Sequence, residues 1–319
     1  MVLPRGFLGG SAPRLQELHL EDILPDLPKF LLSTCDLVTL KLSRILPEAY
    51  ISPETMVTCL APMARLTYLF ICISQLILPS NQLKQAPAIR TRAVLPALIS
   101  IKFDCVIRYA EDLVARIDCP RLNSIDLYPK DDPPVDLQVS QVYKFIKRSE
   151  DPLLTGFDSV YVDVKDHYIG LRTSHSHSHY IPIFISLLDE NWRLSHIFQV
   201  FNQFSLLLSN VRHISINSSM RSPDRAPTFD EAQFLNTFSA LRTLDVFGDH
   251  EYFAPALDYI GEEMAARLLP ALELLYIEGL PVSSVDKFCA CYVTAGTFAR
   301  RGLSSTAKTL RSLVWCSRF

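Results

Sequence analysis

Glycine is scarce in this chain, 10 of 319 residues. Loops that cradle phosphate bring backbone N–H groups against the ligand, which needs glycine at fixed spacing. Neither a Gly-x-x-x-x-Gly-Lys loop nor a Gly-x-Gly-x-x-Gly fingerprint occurs, and Gly-x-Ser-x-Gly and His-Glu-x-x-His are also missing. No nucleotide or other cofactor is expected. A surplus of basic charge is lacking too: 31 Lys and Arg stand against 34 Asp and Glu, a net charge of −3. A nucleic-acid surface normally needs a basic excess, so no nucleic-acid partner is expected. Long apolar runs are absent as well. The two most apolar windows, residues 66–78 and 181–188, break off well before the ~20 residues of a membrane span. Residues 1–10 carry one arginine and too short an apolar stretch for a secretory signal. No membrane partner is expected, and the chain reads as intracellular, cytoplasmic or nuclear. The 8 cysteines are scattered without a Cys-x-x-Cys, and the one close pair is Cys289 and Cys291. Disulfide scaffolds crowd their cysteines into short secreted chains, so these thiols are expected to be reduced and buried as small apolar groups.

What is present is a repeat. The pattern apolar-x-x-apolar-x-apolar runs through Leu15-Gln-Glu-Leu-His-Leu20, Leu37-Val-Thr-Leu-Lys-Leu42, Leu66-Thr-Tyr-Leu-Phe-Ile71, Leu98-Ile-Ser-Ile-Lys-Phe103 and Leu122-Asn-Ser-Ile-Asp-Leu127. It continues in Phe157-Asp-Ser-Val-Tyr-Val162, Val211-Arg-His-Ile-Ser-Ile216, Leu241-Arg-Thr-Leu-Asp-Val246 and Leu272-Glu-Leu-Leu-Tyr-Ile277. Most of these nine copies begin 22 to 35 residues after the one before, the unit length of a strand-plus-helix solenoid. Pro13, Pro96, Pro120 and Pro270 lie just ahead of copies, where a proline ends a helix and opens an extended segment. The longest gap, from Phe157 to Val211, has room for one more strand over 181–188 and a helix over 192–208.

Between copies the pattern turns helical. Ser52-Pro53-Glu54-Thr55 supplies a serine N-cap and a proline at the first helical position. Residues 230–238 and 252–269 show apolar residues at helical spacing, and residues 285–298 are expected to cap the C-terminal end of the stack. Strand and helix alternating at this spacing predict parallel strands with right-handed crossovers. The expected fold is α/β: an irregular leucine-rich-repeat-like solenoid over residues 1–300, with a curved parallel sheet on the concave face and helices on the convex face. Residues 301–319 form a tail of uncertain structure. Irregularity is expected because the asparagine or cysteine of a regular repeat, three positions past the last apolar residue, is replaced by Ile23, Ile45, Ser74, Val106, Lys130, Lys165, Ser219, Asp249 and Leu280.

The chain resembles a large fungal family of F-box and leucine-rich-repeat proteins. The resemblance lies in Phe7-Leu-Gly-Gly-Ser-Ala-Pro-Arg-Leu-Gln-Glu-Leu-His-Leu20, in Pro28-Lys-Phe-Leu-Leu-Ser-Thr-Cys-Asp-Leu-Val-Thr-Leu40 and in Tyr50-Ile-Ser-Pro-Glu-Thr-Met56. It also lies in Arg92-Ala-Val-Leu-Pro-Ala-Leu98, Glu111-Asp-Leu-Val-Ala-Arg-Ile-Asp-Cys-Pro-Arg-Leu122 and Leu269-Pro-Ala-Leu-Glu-Leu-Leu-Tyr-Ile-Glu-Gly-Leu280. In that family an F-box docks on the Skp adaptor of a cullin ubiquitin ligase and the repeats hold the substrate. The resemblance therefore implies a protein-binding, substrate-recognition role. It begins inside the repeats with no F-box ahead of them, so a Skp-type adaptor is not expected as a partner.

Strand alternation names the candidate binding surface. If the repeat's apolar residues face the core, the residues between them face outward. These include Glu17, His19, Tyr68, Phe70, Asp104, Asp126, Tyr128, Tyr161, Asp163, Asp245, Phe247, Tyr276 and Glu278. Seven carboxylates, counting Glu21, oppose only Lys41 and Lys102, and six aromatics point the same way. Exposed aromatics are the usual anchors of protein interfaces. The expectation is an acidic, aromatic groove for a protein partner with a basic segment; the bland alternative is a mixed polar face with no meaning. His175, His177 and His179 alternate in a serine-rich stretch, Ser174 to Tyr180, which reads as a solvated loop rather than a metal site, since no cysteine or carboxylate lies near. Glu262-Glu263 and Asp131-Asp132 read as solvated. The function expected is a non-enzymatic protein-binding scaffold or substrate-recognition domain. The alternatives are a truncated family member without a partner, or an enzyme whose site is assembled from loops.

Overall fold

A computed structural model describes residues 14–22, 28, 31–46, 49–73, 92–130, 139–148, 157–165, 168–174, 183–187, 202–218, 238–248, 271–277 and 313–316. The chain divides into two compact units. Unit 1 comprises Met1–Pro134, Gln138–Thr155 and Tyr180–Ser186, and unit 2 comprises Val135–Leu137, Gly156–His179 and Leu187–Phe319. In chain order the elements are β1 (Glu17–Glu21), β2 (Thr39–Ile45), α1 (Pro53–Leu60), β3 (Tyr68–Ile73), β4 (Ala93–Val94), β5 (Ser100–Cys105), α2 (Ile107–Val114), β6 (Ile117–Asp118) and β7 (Ser124–Pro129). They continue with α3 (Ser140–Arg148), β8 (Ser159–Lys165), β9 (Tyr168–Ser174), β10 (Ile183–Leu187), α4 (Ser205–Leu208), β11 (His213–Ser218), β12 (Thr243–Gly248), β13 (Leu274–Ile277) and β14 (Leu313–Cys316). The class is mixed α/β with parallel sheets and few helices. Among the described residues, no helix is long and apolar enough to cross a membrane.

In unit 1 the strands lie in the order β1-β2-β3-β5-β7-β10, all parallel. The repeat sets their register. Leu18, Leu40, Leu69, Ile101 and Ile125 are lateral partners, and so are Leu20, Leu42, Ile71, Phe103 and Leu127. All ten are buried. Each such side chain withdrawn from water contributes roughly 1.5–3 kcal/mol, so a one-residue slip, which would turn a strand's apolar set outward, is heavily disfavoured. The leucine two positions before each of β2, β3, β5 and β7 (Leu37, Leu66, Leu98, Leu122) is buried as well.

A backbone device repeats with the sequence. The Gln16 carbonyl accepts from two consecutive N–H groups, Val38 at 2.7 Å and Thr39 at 2.9 Å. Val38 accepts in the same way from Thr67 and Tyr68, Thr67 from Ile99 and Ser100, and Ile99 from Asn123 and Ser124. Each strand's entry is thus pinned to its neighbour's. Tight turns precede the entries: Leu66 N–H donates to Met63 (3.1 Å), Leu98 to Leu95 (3.2 Å) and Leu122 to Cys119 (3.1 Å). Pro96 and Pro120 hold the second position of their turns, where a fixed φ is already correct. What precedes these two prolines is not a helix, as the sequence suggests, but the two-residue strands β4 and β6, which pair with each other in parallel.

The helices are tied to one another by packing and by buried polar contacts. Ser52 Oγ accepts from Thr55 N–H at 3.3 Å and Pro53 stands in the first turn of α1, as expected from its capping sequence. α1 packs on α2 and α2 on α3. The buried Glu111 of α2 accepts from the N–H groups of Gln141 (2.8 Å) and Val142 (2.7 Å), satisfying two donors that the start of α3 would otherwise leave unmade. At the other end of α3, Arg148 donates to Asp118 Oδ1 at 2.8 Å and to the carbonyls of Val114 and Ile117. Burial raises the Glu111 carboxyl to about 7, although the two backbone donors pull it down.

In unit 2 the order is β9-β8-β11-β12-β13-β14. β8, β11, β12 and β13 are parallel, with Val160, Ile214, Leu244 and Leu275 as lateral partners. The entry device recurs: Asp158, Arg212 and Arg242 carbonyls each accept from two consecutive N–H groups of the next strand. The all-parallel expectation fails at β9 and β14, which pair antiparallel with β8 and β13. β9 follows β8 within a few residues, a reversal only an antiparallel pair allows, because a parallel return needs a crossover. The tail residues 313–316 supply β14. The strand expected over 181–188 is β10, and of the helix expected over 192–208 the described part is 202–208, with α4 in it. Residues 230–237, 252–269 and 285–298, the three histidines, Cys289, Cys291 and Glu278 lie outside the described residues.

Candidate functional site: the outward sheet faces

The same register that stacks the core stacks the residues between. In unit 1 one outward row is Glu17, Thr39, Tyr68, Ser100, Ser124, and the next is His19, Lys41, Phe70, Lys102, Asp126. A third brings together Cys72, Asp104 and Tyr128. Glu17 and His19 are exposed, whereas Tyr68, Phe70, Asp104, Asp126 and Tyr128 are half-buried. Seven of the thirteen expected site residues therefore share one face of one unit.

The charges on this face are arranged differently from the count that suggested an acidic groove. Arg44, in the irregular stretch between Leu42 and Ile45 where β2 shifts register against β3, has φ of 50° and turns to Asp22 (2.6 Å) and Glu21 (3.1 Å). Lys130 lies 3.0 Å from Asp104 Oδ1 and 3.5 Å from Cys72 Sγ, and the thiol is 3.1 Å from Asp104 Oδ2. Burial raises the Cys72 thiol. Burial would lower the Lys130 ammonium, but Asp104 and Cys72 together leave it raised. Neither cation was in the alternation count, because one sits in a bulge and the other just past a strand end. Three carboxylates thereby share two cations. Lys41, in contrast, stands over the Tyr68 ring at 5.5 Å, and Lys102 lies 4.4 Å from the Tyr128 ring and 5.5 Å from Phe70. Ser124 Oγ donates to Ser100 Oγ at 2.7 Å.

In unit 2 the rows are Ser159, His213, Thr243; Tyr161, Ser215, Asp245, Tyr276; and Asp163, Asn217, Phe247. Asp163 is buried at 7 % exposure and accepts from Asn217 Nδ2 at 3.2 Å; the same amide contacts the Tyr161 hydroxyl at 3.2 Å. The expectation that Asp163 presents charge to a partner is corrected: its carboxylate is spent inside the unit. Asp245 is half-buried, with His213 Nε2 3.4 Å from its Oδ2. Burial raises the Asp245 carboxyl and His213 opposes the shift. The Phe247 and Tyr276 rings meet at 5.4 Å, tilted by 48°. Arg44 and Lys130 are what sequence reasoning left out. Lys130 had a signal, since it holds the place where a regular repeat carries its turn asparagine; Arg44 had none. Among the described residues no three or more His, Cys, Asp or Glu side chains are grouped to hold a metal ion. No protein-family model, curated protein or solved structure matches the chain.

Proposed function

We propose that this chain is a protein-interaction domain, a leucine-rich-repeat-like solenoid whose sheet face receives a segment of another protein, as the substrate-holding repeats of the fungal F-box family do. Attachment to a Skp-type adaptor is not part of the proposal. The observation that supports it most is the set of half-buried aromatics, Tyr68, Phe70 and Tyr128, on adjacent parallel strands of unit 1. Rings held on strands and restrained by neighbouring lysines lose little entropy when a partner covers them, which is the economy of a preorganised interface.

The test uses the full chain. A partner captured by the tagged protein is purified and titrated against wild type, Tyr68→Ala, Tyr128→Ala and, as a control on unit 2, Leu206→Ala, whose side chain is exposed. A hot-spot aromatic is worth on the order of 2 kcal/mol, so the tyrosine variants should bind about 30-fold more weakly and the control unchanged. Binding indifferent to both tyrosines would refute the reading.

A further inference from the structure

We infer that the centre of the unit 1 face docks an acidic segment, with the Lys41 and Lys102 ammonium groups receiving its carboxylates. The inference rests on the protein-binding reading and names the partner's chemistry, opposite in sign to the one that counting carboxylates suggests. Pairing carries it, not net charge. At the margins Arg44 takes up Glu21 and Asp22, and Lys130 takes up Asp104. Asp126, the register neighbour of Lys102, has an interaction of its own. Lys41 and Lys102 have no ion-pair partner among the described residues; only aromatic rings lie beneath them.

An ammonium over a ring remains a full charge. The ring occupies one side and leaves N–H donors pointing away, so an incoming oxygen acceptor adds to the cation–π contact without replacing it. The rings also hold the two long side chains in place, lowering the entropy cost of binding. Both lysines lie in one row, on β2 and β5 with β3 between, so about 10 Å separates their strands at ~4.8 Å per strand. Ser100 lies on β5 two residues before Lys102, in the adjoining row, its oxygen already accepting from Ser124 and its own proton left to give to a ligand oxygen. Single-stranded nucleic acid, the other polyanion that suits lysine and aromatics, needs open ring faces for base stacking. Here Lys41 stands over Tyr68, and Lys102 over Phe70 and Tyr128.

The experiment measures fluorescence anisotropy of the full chain with three labelled probes: a twelve-residue peptide of repeated Glu-Ser-Ser, its Lys-Ser-Ser counterpart and an oligo-dT of similar length. The Glu peptide should bind, more weakly as salt rises. Lys41→Gln with Lys102→Gln should weaken it at least tenfold, while Lys102→Arg, which keeps charge and ring stacking, should retain most of the affinity. Circular dichroism confirms folding of each variant, and the arginine variant keeps the test decisive if the double variant unfolds. Preference for the Lys peptide, tighter binding of oligo-dT, or a Glu peptide indifferent to both lysines would overturn the inference. If the purified natural partner still depends on Tyr68 and Tyr128 in those cases, the acidic segment is wrong and the protein-binding reading stands. If it depends on neither, both fall.

Discussion

Replacing Glu111 by glutamine tests how unit 1 holds its helices together. The carboxylate is buried, accepts two backbone N–H groups at the start of α3 and titrates at about 7, against an ordinary 4.5, chiefly because burial disfavours its charge. A group whose folded-state pKa is raised binds its proton more tightly in the folded than in the unfolded chain. Its stabilising contribution is therefore complete below about 4.5 and is lost as pH rises to about 7, with no further change above. At ~1.4 kcal/mol per pH unit, that interval is worth at most about 3 kcal/mol. Neighbouring Asp112 raises the value slightly and Lys144 lowers it, so neither reverses the sign. Glutamine keeps the shape and one carbonyl acceptor but cannot ionise. Urea unfolding by circular dichroism between pH 5 and pH 8, with hydrogen exchange at the Gln141 and Val142 amides, reads the effect. Wild type should lose up to about 3 kcal/mol relative to Glu111→Gln across that range, and its two amides should lose protection with it. Parallel stability curves would refute the reasoning. Parallel curves are also what the two N–H donors would produce if they outweighed burial, because a lowered pKa confines its effect to pH below about 4.5.

Ile101→Ala removes a side chain at 0 % exposure from the middle of the unit 1 row and should cost about 2–5 kcal/mol by denaturant unfolding. Asp163→Lys should destabilise unit 2 by about 3–5 kcal/mol, since it buries an unpaired ammonium beside Asn217, whereas Asp163→Asn should be milder; equal stability of the two would mean that the site is open. Ser52→Ala should cost roughly 1 kcal/mol through loss of the α1 cap, read as a lower unfolding midpoint.

The strands were legible because burial has a period. Every second residue of 17–21, 39–43, 68–71, 100–105 and 124–129 alternates in exposure, and parallel pairing only has to lay identical patterns side by side. The α1 cap was legible for the same kind of reason, a local rule satisfied by local residues. β9 was not, since Tyr168–Ser174 does not carry the six-residue pattern and is recruited by an antiparallel neighbour, whereas β14 falls within Leu310-Arg-Ser-Leu-Val-Trp315, which does carry it. Glu111 could have been found: it stands with Ile107, Ala110 and Val114 on the apolar side of α2, where a carboxylate must have donors to persist.

Charge has no such period, and there the sequence misleads. Alternation assigns Asp104 and Lys102 to the same face correctly, yet it says nothing of Lys130, which reaches Asp104 from beyond the end of β7, or of Arg44, which reaches Glu21 and Asp22 from a bulge with a left-handed residue. A count over strand positions therefore records the carboxylates and omits the cations paired with them, because one stands in a bulge and the other past a strand end. In unit 1 the cations that the strand pattern omits pair with Glu21, Asp22 and Asp104, while Lys41 and Lys102 stand over aromatic rings.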